Sequence, residues 1–401
     1  MTSTLVCALV FYPTIVARNL PNICTGPCCP TPTCTPLCTF FLYWILDLSL
    51  EACLTIVFLV FEQAATMSLK EQQLMNQSSL SEFLLLEFSN VREFQILHFI
   101  AFFIFYLVAA AGNLLIIAAV ASDHHLHNPM YLFLMNLAIQ DVGQISVIIP
   151  ISMANSLMND RHISYSGCVA QVLFYILFLS SDFFLLTIMA YDRYVAICNP
   201  LQYEMVMNRH ACFQMVTAVW ISSLCYGILH TGGTFTPRFC SNVINQFFCE
   251  IPQLLKLTCS DVYLFEIGVV LLGVFVGVGC FVFIVVTYVH IFTAVLRIPV
   301  IQRRRKVFST CIPHLLVFSI FIFTGGFSYV RATSGSSSSF DLVLSMIYSM
   351  VPPLMNPVVY AMRNKDIKNA LSKLLSLRYF TRKFFSNLIH QSSVDNLNNC
   401  S

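Results

Sequence analysis

The chain has 401 residues, of which 57% are hydrophobic and only 10% charged, and its formal net charge is +2. Soluble domains carry about 25% charged residues, so this composition argues against a soluble enzyme and for a polytopic membrane protein. The weak net charge, with no basic patch interleaved with aromatics, offers nothing to a nucleic acid.

Residues 1–74 differ from the rest. Cys24, Cys28, Cys29, Cys34 and Cys38 lie in a Pro- and Thr-rich run. Phe40 to Phe61 is apolar enough to span a bilayer, but Asp47 and Glu51 sit near its middle. Acidic residues at that depth cost about 2.5–3.5 kcal/mol each. The segment reads as an extra anchor, a cysteine-rich outer cap, or upstream sequence included by a misplaced start. Asn76-Gln77-Ser78 follows as an N-glycosylation sequon.

Seven apolar runs come next. They cover about 96–121, 129–157, 168–194, 212–229, 263–292, 307–329 and 340–362. The third carries little charge until it ends in Asp192-Arg193-Tyr194. Arg193 lies about 37 Å of helix beyond Cys168 at about 1.5 Å per residue, against a hydrocarbon core about 30 Å thick. One helix therefore reaches both aqueous faces. Lys365 to Leu375 suits a short amphipathic helix at the membrane surface.

Orientation follows from the basic residues. Arg193, Arg209, Arg297, Arg303, Arg304, Arg305, Lys306, Arg363, Lys365 and Lys368 fall on one face of the seven-span arrangement. Arg92, Arg161, Arg238, Lys256 and Arg331 fall on the other. The richer face is expected to be cytoplasmic, which puts Asn76 outside, where glycosylation needs it.

Two acids, Asp141 and Asp182, fall near the middles of the second and third spans. An ionisable group at that depth reads as functional by default. Tyr175, Leu179 and Asp182 share one helical face, flanked by Ile176 and Ser180. Ile322, Gly325, Gly326 and Tyr329 of the sixth span are placed to face the same space. Above Asp182 that face offers one phenol, one hydroxyl and aliphatics, which suits a small neutral apolar ligand. Cys168 heads the third span, and Cys240, Cys249 and Cys259 lie in the loop before the fifth. Four cysteines allow three pairings. Most of the seventeen cysteines, none paired at zinc-finger spacing, are expected to pack as small hydrophobes. No nucleophile–base pairing or metal motif stands out, so an enzyme is not expected.

Four strings carry a resemblance. They are Met189-Ala190-Tyr191-Asp192-Arg193-Tyr194-Val195-Ala196-Ile197-Cys198 with its Pro200-Leu201-x-Tyr203 continuation, Pro129-Met130-Tyr131-Leu132-Phe133-Leu134, Phe308-Ser309-Thr310-Cys311 with His314-Leu315, and Pro353-Leu354-Met355-Asn356-Pro357-Val358-Val359-Tyr360. Together they resemble the signatures of vertebrate olfactory receptors, a branch of the rhodopsin-like G-protein-coupled receptors. The resemblance covers about residues 75–380 and leaves 381–401 as a cytoplasmic tail.

It implies an all-α membrane protein with seven transmembrane helices, a short cytoplasmic amphipathic helix and an atypical N-terminal extension. Receptors of this family usually start near an equivalent of Met75, which favours the misplaced-start reading of 1–74. It implies disulfides Cys168–Cys249 and Cys240–Cys259. It implies a sodium ion beside Asp141, with Asp182 as the second candidate ligand, one methylene shorter than the Glu that relatives usually have there; no other cofactor is expected. Most relatives have Tyr where Ile322 stands, so the pocket floor here is wider or less polar.

Function is implied with it. The expected activity is binding of a small-molecule odorant among the helices and activation of a stimulatory, olfactory-type G protein that raises cyclic AMP. The expected place is the plasma membrane, among its lipids, with the N-terminus outside. Asp192, Arg193 and Tyr194 are expected to couple to the G protein, with Arg193 paired to Asp192 at rest and meeting Tyr288 and Tyr360 when active. The alternatives are a related receptor for an endogenous metabolite and, more distantly, a channel or transporter, for which inverted-repeat signals are missing.

Overall fold

The computed structural model of the chain describes residues 81–86, 91–158, 160–259, 264–333, 339–363, 366–374 and 376. Residues 1–74 and the sequon at Asn76 lie outside these.

Seven long helices follow one another among the described residues: α1 (Arg92–Ser122), α2 (Pro129–Met158), α3 (Tyr165–Cys198), α4 (Arg209–Phe235), α5 (Leu264–Leu296), α6 (Ile301–Thr333) and α7 (Ser339–Arg363). Each covers one of the expected apolar runs to within a residue, and most extend it by several residues. The reason lies in their ends: a helix continues beyond its apolar stretch until a cap takes over its free N–H groups. Ser164 Oγ accepts from Gly167 N at 3.1 Å at the start of α3, and Asn208 Oδ1 accepts from Ala211 N at 2.9 Å at the start of α4. Five of the helices, α1 to α5, are long and apolar enough to cross a bilayer, and α6 carries a shorter apolar stretch, Val307–Phe323. A further helix, α8, covers residues 366–374. Ile367 and Ala370 are buried and Leu371 and Leu374 half-buried, while Lys368 and Lys373 are exposed. That is the one-sided spacing expected of an amphipathic segment.

The described residues form two compact units. The first holds Leu86–Arg161 and the chain from Ile312 onward. Its core packs Phe102 and Ala109 of α1, Ile145 and Ile149 of α2 and Met350 of α7. Arg92, at the start of α1, closes the far end of α2. Its guanidinium donates to Ser156 O at 3.2 Å and Leu157 O at 2.6 Å, carbonyls that lack helical donors. At Gly112 of α1, an added Cβ would lie 2.9 Å from Pro357 Cβ of α7. A residue without a side chain is what lets these two backbones come this close.

The second unit holds His162–Cys311 together with a strand that the composition did not announce. Strand β1 (Glu82–Leu85) pairs antiparallel with β2 (His162–Ser164) and parallel with β3 (Val243–Ile244), giving the order β2-β1-β3. Phe83 of β1 is fully buried. Its ring stacks on Tyr165 at 5.9 Å and meets Phe239 edge-on at 5.2 Å. In this unit α4 approaches α3 at Gly227, where a Cβ would meet Leu173 O at 3.1 Å.

Candidate functional site

The polar core of the first unit is built on α2 and α7. Asp141 is fully buried, and both of its carboxylate oxygens accept from Asn356 Nδ2, at 3.0 and 2.9 Å. A charge-bearing group at that depth needs such a donor, because water is excluded there. Asn113 Nδ2 donates to Pro353 O at 2.9 Å, and Gln144 Nε2 donates to Ser349 O at 3.0 Å. Asn113, a lone polar group in an apolar helix, thus makes an interhelical bond. Helix α8 is held at two points. Tyr131 OH donates to Asp366 Oδ2 at 3.0 Å, and Lys373 Nζ lies 3.2 Å from Asp123 Oδ2. The backbone N–H of His125 and then the Lys373 ammonium hold the Asp123 carboxyl below its ordinary value.

In the second unit, α3 is engaged at both ends. At its first end the loop before α5 is locked down. Cys168 is bonded to Cys249, with Cα atoms 5.6 Å apart, and Cys240 to Cys259, at 5.1 Å. Both pairings are those the resemblance implied. Gln171 Oε1, one turn below Cys168, accepts from Cys249 N at 2.8 Å. Phe247 and Phe248 are buried beside the disulfide, and Tyr175 meets Phe248 edge-on at 5.4 Å. The loop is thereby a fixed cover on α3.

The face proposed for ligand lies along α3. Tyr175 and Asp182 are buried, and Ile176, Leu179 and Ser180 are half-buried. The Ser180 hydroxyl, however, donates to Ile176 O at 2.7 Å, one turn back on its own helix. It can therefore offer a ligand only its acceptor lone pairs. Ile322 of α6 is half-buried. Gly325, Gly326 and Tyr329 lie within α6, but their surroundings are outside the described residues.

At its second end α3 shows a partner for Asp192 that the sequence did not suggest, beside the charge of Arg193. The Asp192 carboxylate accepts a 2.8 Å hydrogen bond from Tyr203 OH rather than bonding its neighbour Arg193. Residues one apart point about 100° away from each other on a helix and do not face. The sequence string contained Tyr203, but a spacing of eleven residues across a turn at Pro200 gave it no visible role. Burial, then the Asp192 charge, push the Tyr203 phenol upward, so it stays protonated and donates. Asp192 is almost wholly buried and Arg193 half-buried. Tyr194 is buried and meets His290 of α5 at 6.2 Å. Tyr288 is buried and lies against Phe292. Tyr360 lies in α7 with its side chain outside the described residues. Gln144, Gln171 and Tyr203 are the residues that sequence reasoning missed. Their partners are two backbone groups and one carboxylate at long or irregular separation, which no periodicity reveals. Cys198, Cys212, Cys225, Cys280 and Cys311 are buried and outside any disulfide, as small hydrophobes would be.

The fold and the sequence point the same way when set beside known proteins. The crystal structure of squid rhodopsin superposes with a TM-score of 0.59 over 72% of this chain and 88% of that one, at 16% identity. That match gives the seven-helix fold. An olfactory receptor family profile matches residues 102–378. Human olfactory receptor 14C36 is 48% identical over 76% of this chain and 98% of its own length. Human olfactory receptor 14J1 is 47% identical over 76% of this chain and 95% of its own length. This multi-pass membrane protein, with a rhodopsin-like seven-helix fold, belongs to the olfactory receptor family.

Proposed function

We propose that the chain is an odorant receptor of the plasma membrane, with its N-terminus outside and its C-terminus in the cytoplasm. It binds small neutral apolar ligands among its helices and activates a stimulatory G protein, raising cyclic AMP. The observation that carries this reading is the buried Asp192 beside Arg193 at the end of a membrane-length helix, in a chain of this family. The bond from Tyr203 gives Asp192 a hydrogen-bond partner besides the neighbouring charge of Arg193, and that guanidinium is the group offered to a partner that approaches this end. The orientation rests on the basic residues around that same end. A ligand shifts the balance toward the coupling state only by binding that state more tightly.

Ligand specificity falls to Tyr175, Ile176, Leu179 and Ser180 of α3. The exclusion of carboxylates from this set is what argues for a neutral ligand. The disulfide-held loop keeps one wall of the site fixed.

A sodium ion beside Asp141 belongs to the same reading. The donors suit a hard cation: Asn356 gives its N–H to Asp141, and its own buried Oδ1 has no hydrogen-bond donor among the described residues. Asp141 and Asn356 would hold the ion, which would supply positive charge to a carboxylate in a medium without water.

The test is a cyclic AMP assay on transfected cells with a panel of volatile ligands. A response is expected in the full chain and is lost in Arg193→Ala at equal surface expression. A response that survives Arg193→Ala would overturn the coupling mechanism, and a response to a circulating metabolite alone would place the receptor outside olfaction.

A further inference from the structure

Helix α7 contains Pro352, Pro353 and Pro357. A proline has no N–H, so the carbonyl four residues earlier loses its helical donor. Pro353 strips Ser349 O in this way, and Pro357 strips Pro353 O. Both carbonyls are nevertheless bonded, each by a side-chain amide from another helix of the same unit. Asn113 Nδ2 of α1 takes Pro353 O, and Gln144 Nε2 of α2 takes Ser349 O. The fit at Ser349 is close. Gln144 and Ser349 are each 1% exposed. The Ser349 hydroxyl donates to Ser345 O at 2.6 Å, one turn back, and so does not serve its own carbonyl. A carbonyl is only an acceptor, so the nitrogen of the Gln144 amide is the end that must face it.

We propose that Gln144 is a positioning residue for α7, standing in for the helical donor that Pro353 removes and fixing the level at which α7 sits against α2. The proposal rests on reading α7 as a working part of the receptor and adds a residue to it. An N–H within a helix can be released only by unwinding that helix. A side-chain amide on a neighbour is released by a small slide of one helix along the other. Gln144 therefore makes the α2–α7 contact both firm and exchangeable, just above the Asp141–Asn356 pair. Asn356 lies seven residues beyond Ser349 on α7, so a slide at Ser349 moves Asn356 with it.

A double-mutant cycle on the full chain, purified in detergent, tests this by thermal unfolding. Gln144→Met keeps the volume but lacks the donor, and should lower the apparent Tm by about 3 °C, the scale of one buried hydrogen bond in a domain of this size. Pro353→Ala returns a helical donor to Ser349 O. In that background Gln144→Met should shift the Tm by less than about 1 °C. Equal shifts in both backgrounds would overturn the proposal. Basal cyclic AMP supplies the second measurement and does not need Pro353→Ala to fold. At matched surface expression, Gln144→Met should change the basal level at least about twofold, and a basal level and Tm both unchanged would overturn it. A failed cycle with signalling still dependent on Arg193 would remove this inference alone. A working cycle in a chain that never signals would remove the receptor reading alone.

Discussion

Tyr203 OH and Asp192 Oδ1 lie 2.8 Å apart, so the carboxylate that opens the Asp-Arg-Tyr triplet is held by a phenol eleven residues downstream. One protein hydrogen bond contributes about 0.5–1.5 kcal/mol net. If the bond belongs to the resting state, its loss favours coupling by up to about tenfold. Tyr203→Phe is therefore expected to raise basal cyclic AMP by about two- to tenfold at equal surface expression. A basal level equal to that of the unaltered chain would show that the bond does not hold the resting state.

The two disulfides should differ in weight. They close segments of 81 and 19 residues. In the chain-entropy account that corresponds to at most about 4.5 and about 3.2 kcal/mol. A chain confined by a membrane is already restricted when unfolded, so both figures are upper bounds. Cys168→Ser should abolish surface expression, and Cys240→Ser should reduce it less. Flow cytometry of tagged variants checks the order, and a reversed order would contradict it.

Gly112 admits no side chain. A Cβ there would meet Pro357 Cβ at 2.9 Å and Pro357 Cγ at 3.1 Å. The proline ring is rigid, so relief must come from moving α1 or α7. Gly112→Val is expected to cost about 1–3 kcal/mol, the range for an overpacked core, and to lower thermal stability accordingly. A variant as stable as the parent would mean that α1 and α7 part at little cost.

The docking of α8 should follow the charge of Asp123. The bonds from His125 N and Lys373 favour its carboxylate form. Their contribution is present at pH values above the ordinary carboxylate pKa of about 3.9. It is lost as pH falls through the lowered folded value. A nitroxide attached through Ser372→Cys should keep the same mobility from about pH 7 to 5 and loosen only below about pH 4. Lys373→Ala should loosen it throughout that range. A transition in the range where histidines titrate would assign the docking to His124, His125 or His127 instead.

The sequence by itself determined the helices. Seven apolar runs at membrane length, and a charged triplet too costly to leave in lipid, could be satisfied only by spanning segments, because backbone groups in hydrocarbon must be paired within the segment. The buried acids, the stripe of α3 that runs from Tyr175 to Asp182 and the amphipathic spacing of residues 366–374 were legible for the same reason, since helical period alone places them. The pairing of Cys168 with Cys249 came from family likeness, and the spacing of four cysteines left three choices. Tertiary structure alone decided the partners. That Tyr203 serves Asp192, that Gln144 serves a carbonyl freed by Pro353, and that Glu82–Leu85 becomes a strand beside β2 and β3 all depend on groups brought together across long or irregular separations. A hydrogen bond acts over about 3 Å, and no pattern along the chain records which distant donor will arrive within that distance.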